Sequence, residues 1–162
     1  MLVSLTTFTV IHVLLSVIGI IAGLVVAGGF VAGKRLDGWT GIFLTTTILT
    51  NITGFGFPFV TFLPSHGVGI LSLLMAPFVV AALYWKHLAG SWRRVFVVGS
   101  VVLLYFNVFV LMVQLFQKFP LLRASAPTQK EPSFLLSQLL MLALFIWLGR
   151  ASVRGFAASS ST

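Results

Sequence analysis

The chain has 162 residues, of which ten are Lys or Arg and two are Asp or Glu, so only 7% carry charge, against roughly 25% in an ordinary soluble domain. Apolar residues make up 59% and mean hydropathy is +1.12. A soluble protein of this length could not hide so much apolar surface, and a disordered chain would be poor in it; the composition is that of an integral membrane protein. Cysteine is absent, which excludes disulfides, iron–sulfur clusters, cysteine zinc sites and a thiol nucleophile. A net charge of +8 would suggest nucleic acid in a soluble protein. Here the basic residues sit between apolar runs, where they orient membrane helices, and no nucleic-acid partner is expected.

The first apolar run ends at Lys34 and Arg35. It reads as a retained helix near 8–32, because it lacks a basic start, exceeds the ~7–15 apolar residues of a signal peptide, and is followed by its basic pair. The next run, Gly38 to Trp85, holds 48 residues without Asp, Glu, Lys or Arg. As one helix it would measure about 72 Å against a hydrocarbon core of ~30 Å, so it must fold back once. Gly54, Gly56, Pro58, Pro64, Ser65 and Gly67 mark the turn, leaving helices near 39–57 and 66–86, the second interrupted by Pro77. Val95 to Gln117 gives a fourth helix near 94–117. Pro120, Pro127 and Pro132 break the segment that follows. It is expected to lie on the membrane surface or cap the bundle, with Lys118 and Glu131 pairing across its base. The last helix, near 134–153, continues through Arg150 by snorkelling. The expected fold is therefore all-α: one domain over 1–156, an integral membrane bundle of five transmembrane helices, with a flexible Ser-rich tail at 157–162.

Basic residues then set the orientation. With the N-terminus outside, the inner segments hold Lys34, Arg35, Lys86, Arg93, Arg94, Arg150 and Arg154, and the outer ones hold Lys118, Arg123 and Lys130. That bias favours N-out, C-in. Trp39, Trp85, Trp92 and Trp147, with Tyr84, are expected at the inner ends as an interfacial belt.

This topology concentrates polar side chains in the outer half: His12, Asn51, His66, Gln114 and Gln138, with Asn107 near mid-membrane. Their spacing predicts that they face inwards. His12, Ser16, Gly19, Gly23 and Ala27 share one helical face whose small residues would let a neighbouring backbone approach, either inside the bundle or on a partner. Ser100, Asn107 and Gln114 repeat every seven residues, and Thr47, Asn51 and Gly54 align likewise. Such groups are costly against lipid, so they are expected either to cross-link helices or to line a ligand pocket roofed by the 118–133 loop. His12 and His66 could instead ligate the iron of a b-type haem in a redox module that passes electrons to quinone. Asp37 and Glu131 both fall in loops, which leaves no intramembrane carboxylate relay. No phosphate-binding glycine loop is present either, and no catalytic residue can be named. The expected role is non-enzymatic: binding a small or lipidic ligand, or serving as an accessory subunit of a larger membrane complex or a homo-oligomer, among membrane lipids.

The stretches N-V-F-V-L-M-V-Q-L-F-Q-K-F-P from Asn107 and A-P-T-Q-K-E-P-S-F from Ala126, with T-G-F-G-F-P before the turn and P-S-H-G-V-G around His66, carry a resemblance. The middle two-thirds of the chain resembles a family of small, uncharacterised bacterial inner-membrane proteins. The resemblance implies a multi-pass protein of the bacterial inner membrane and assigns no activity to any residue.

Overall fold

The computed structural model describes residues 5–58 and 64–158. Among them the chain is wholly helical: α1 (Leu5–Val31), α2 (Asp37–Gly54), α3 (Pro64–Tyr84), α4 (Trp92–Lys118), α5 (Pro120–Ser125) and α6 (Pro132–Ala158). By length and apolar composition α1, α3, α4 and α6 can each cross a membrane. α2 differs. Its 18 residues span about 27 Å, and Thr40, Thr45–Thr47, Thr50, Asn51 and Thr53 interrupt its apolar side chains.

Local chemistry explains where the helices stop. α1 ends at Gly33, whose φ of 69° is left-handed. The Lys34 N–H donates to the Gly29 carbonyl at 2.7 Å and the Gly33 N–H to that of Phe30 at 3.0 Å, the closing bonds of a glycine-capped terminus. The turn expected after α2 falls partly on 59–63, outside the described residues; Pro64, Ser65 and Gly67 belong to the first turn of α3, where a proline's missing N–H costs nothing. For the same reason Pro120 opens α5 and Pro132 opens α6. The segment expected to lie on the membrane surface or cap the bundle therefore contains a short helix, because Pro120 and Pro132 sit at helix starts and Pro127 in the turn between them. At the far end, residues 157 and 158 continue α6 instead of forming a tail, and 159–162 lie outside the described residues.

The α5–α6 connection is tied down by its own polar groups. Gln129, at φ 59°, donates from Nε2 to the Val113 carbonyl of α4 at 2.9 Å, and the Ser133 hydroxyl donates to the Ser125 carbonyl at 2.9 Å. Glu131 accepts from the Thr128 hydroxyl at 2.8 Å and from the Thr128 and Lys130 N–H groups at 3.1 and 3.0 Å. The expected Lys118–Glu131 pair does not form, because these local donors already hold the carboxylate. The ion pair among the described residues is Arg35 with Asp37, at 2.6 Å. Desolvation pushes the Glu131 pKa up, but the Thr128 hydroxyl and the backbone donors outweigh it and hold the carboxyl below its ordinary value. A depressed carboxylate pKa stabilises the folded loop above the ordinary carboxylate range, and the gain is lost as pH falls through the depressed value. Amide-exchange protection at Thr128 and Lys130 is accordingly expected to drop on acidification, and Glu131→Gln should remove that dependence.

α1 runs antiparallel to α2 and α4, and α4 runs antiparallel to α3 and α6, which makes α1 and α6 parallel neighbours. α1 and α3 each pack against α2 and α4. The core follows this contact pattern: Val26 and Phe30 of α1, Phe43 of α2, Val79 of α3, and Phe96, Leu103 and Leu104 of α4 are almost wholly buried. Phe30, Phe96 and Phe156 form an aromatic cluster, with ring centroids 5.2–6.4 Å apart. The cluster brings together the C-terminal ends of α1 and α6 and the N-terminal end of α4. Lys34, Arg35, Lys86, Arg93, Arg94, Arg150 and Arg154 all belong to this end of the bundle, and Lys118, Arg123 and Lys130 to the other. Trp39 and Trp85 stand exposed at the basic end, and Trp92 takes the Lys86 ammonium over its ring at 5.6 Å. Trp147 does not join them. It lies eleven residues before the end of α6, some 16 Å inside it, and faces outwards.

Candidate functional site

The faces read from spacing do point inwards. Gly19, Gly23 and Ala27 of α1 are buried, with His12 and Ser16 half-buried; Ser100 and Asn107 of α4 are buried and Gln114 is half-buried. The stripe of small residues on α1 packs inside the bundle. A Cβ added at Gly19 would lie 3.1 Å from the Thr46 hydroxyl of α2 and 3.7 Å from Asn107 Nδ2 of α4, and one at Gly23 would meet Leu104 and Phe43 at 2.6 and 2.8 Å.

Two of the candidate residues close one network. Asn51 donates from Nδ2 to the Thr47 carbonyl at 2.8 Å and to the Ser72 hydroxyl of α3 at 2.9 Å. Asn107 donates to the Thr47 hydroxyl at 3.0 Å. Thr47, itself fully buried, thus joins α2 to α4 through its side chain and serves the α2–α3 bridge through its carbonyl. These amides cross-link helices. Spacing put Thr47 on the right face, but its role as hub and the part of Ser72 were missed, since no local signal says which hydroxyl meets which amide across helices.

His12 has a different setting. Its Nδ1 lies 2.9 Å from the Thr53 hydroxyl of α2, and its ring meets the Phe57 ring edge-on at 5.1 Å. The Thr53 hydroxyl already donates to the Leu49 carbonyl at 2.8 Å, so the proton between the two side chains belongs to His12 Nδ1. Nε2 then keeps its lone pair as an acceptor. His66 sits in the first turn of α3, half-buried, with its ring 6.0 Å from that of Phe55. The two imidazoles therefore belong to helices that both pack on α2, with separate aromatic neighbours.

Gln138 is the exception among the amides. Both its Nε2 and its Oε1 are buried, and neither has a hydrogen-bond partner. Its height follows from the helix register. Phe30 stands beside Phe156, and His12 and Gln138 each lie eighteen residues earlier on those parallel helices. Gly19 faces Asn107; His12 lies seven residues before the one and Gln114 seven after the other. The folding thus brings His12, Gln114 and Gln138 to one level of α1, α4 and α6, near the end where α5 and its connection lie. Asn51 and Asn107 sit deeper, in the network already described, and His66 sits beyond α2. The arrangement offers one acceptor nitrogen, one half-buried amide and one buried, unpaired amide, a set suited to holding a polar group. Compared with protein-family models, curated proteins and solved structures, the chain matches none.

Proposed function

We propose that the protein is a non-enzymatic, multi-pass protein of the bacterial inner membrane. It binds a small or lipidic ligand at the level of His12, Gln114 and Gln138. α2 is its fifth span, and the chain runs N-out, C-in, so that this level faces outwards and the basic end faces the cytoplasm. The charge bias between the two ends supports this orientation. Three threonine hydroxyls of α2 suit a span: Thr40 donates to the carbonyl of Leu36 at the helix's N-cap, and Thr46 and Thr53 each donate to a carbonyl of their own helix, which spares lipid an unpaired hydroxyl there.

The observation that carries the ligand reading is the orphaned amide of Gln138. A buried amide with no partner costs ~1–3 kcal/mol by protein mutational measures. A ligand with a carbonyl or hydroxyl head and an apolar body would remove that cost. His12 Nε2 supplies a second acceptor at the same level. Extraction and mass spectrometry of small molecules retained by the protein in mild detergent test the reading. Gln138→Leu is expected to lose the retained ligand while keeping or slightly gaining thermal stability, because leucine fills the site without an unpaired polar group. If wild type and variant carry the same molecules, the proposal fails.

A further inference from the structure

Towards the end of the bundle opposite Gln138, two cavities lie side by side. A cleft of about 800 Å³ opens beside the turn between α3 and α4, with Arg93 and Arg94 in its wall. A groove of about 450 Å³ runs along the outer seam of α4 and α6; its wall is apolar except for Tyr105 and, towards the cleft, Arg150 and Arg154. Val153 lines both. The two adjoin at that residue, the cleft polar and cationic and the groove hydrocarbon-like, and each volume falls within the roughly 300–1,000 Å³ of ordinary ligand sites.

Among the described residues the charge around this site has no internal answer. The whole chain holds two acidic residues. Asp37 is taken by Arg35. Glu131 precedes α6 and is held by its own loop, some 28 Å along that helix from Arg150. Among the described residues no carboxylate neutralises Arg93, Arg94, Arg150 or Arg154, and guanidinium groups do not deprotonate in proteins. Arg150 and Arg154 lie one turn apart on a single face. The Arg93 guanidinium is steadied over the Phe156 ring at 5.8 Å. A bound molecule complementary to all this carries negative charge at one end and a long apolar chain at the other.

We propose that the joined cleft and groove bind one anionic phospholipid, with its phosphate among the four arginines and an acyl chain along the α4–α6 seam. Basic pockets beside membrane helices select anionic headgroups by the same electrostatics. The apolar wall argues for a lipid over a free phosphate, which would leave the groove unfilled. This site shares no residue with the level of His12, Gln114 and Gln138, and stands whether or not a ligand binds there.

The test uses the full chain purified in mild detergent and offered equal amounts of phosphatidylglycerol and phosphatidylcholine with matched chains, with retained lipid counted by native mass spectrometry. Phosphatidylglycerol should be retained in preference. The double substitution R150Q/R154Q should lower its retention by roughly tenfold, whereas substituting Lys118 and Arg123 by glutamine at the opposite end should not. G149L probes the groove separately: a Cβ there meets Val101 at an ordinary 3.8 Å, so the longer side chain grows into the groove and blocks the acyl chain while every arginine remains. Equal retention of the two lipids would overturn the proposal. So would phosphatidylglycerol retention that survives both R150Q/R154Q and G149L, or inorganic phosphate raising Tm as much as phosphatidylglycerol does.

Discussion

Gly155→Val is expected to be among the most damaging single substitutions in this chain, lowering stability by about 3 kcal/mol, the upper part of the range for overpacking. Gly155 lies in the last turns of α6 against the end of α1, where a Cβ would stand 2.6 Å from the Phe30 carbonyl oxygen and closer still to that of Val31. Both obstacles are backbone atoms, so no side-chain rotation can relieve the clash. The two parallel helices would have to separate, and the Phe30–Phe96–Phe156 cluster beside them would lose its ring contacts. At Gly23 the obstacles are side-chain atoms of Leu104 and Phe43, which can yield in part, so a smaller loss is expected there. Gly28, with nothing within 4 Å of an added Cβ, provides the control: Gly28→Ala should be neutral or stabilise by up to ~1 kcal/mol through helix propensity. Thermal unfolding of the purified variants in detergent reads all three.

Asn107→Ala is the second large effect, expected to cost about 1–2 kcal/mol. Part of it is the interhelical hydrogen bond to Thr47, ~0.6 kcal/mol on average and up to ~1.7 for such bonds in membranes; the rest is the void left at a site where α1, α2 and α4 converge. Thr47→Val keeps the shape but leaves a buried Asn107 donor unpaired, so it should destabilise too. The double variant Asn107→Leu, Thr47→Val should recover most of the loss, because both polar partners then go together. None of these variants should alter the small molecules that the protein retains, since Asn107 serves packing and not the level of Gln138. A changed retention profile in Asn107→Ala would move that residue into the ligand site.

Much of this was legible in the residues. Charges delimited four apolar runs, and the length of the second required it to fold back, matching the five long helices among the described residues; seven-residue spacing placed Ser100, Asn107 and Gln114 on an inward face. Periodicity reports which face of a helix is inside, and it did so for α1 as well. It cannot report partners. Asn51, Asn107 and Gln138 look alike in sequence, yet the first two are paired through Ser72 and Thr47 and the third is left orphaned. The difference depends on which helix stands opposite and at what height, a property of register. Arg150 and Arg154 likewise read as orientation charges until α4 and α6 paired and made a groove between them.

What the sequence determined by itself is the solvent this chain is built for and the number of long helices, because the cost of exposing apolar side chains to water, or charges to lipid, is paid residue by residue and needs no knowledge of neighbours. What only the tertiary structure decided is which polar groups satisfy each other and where cavities remain. Hydrogen bonds act over about 3 Å, and groups that meet at that distance here, such as Thr47 and Asn107, stand 60 residues apart along the chain.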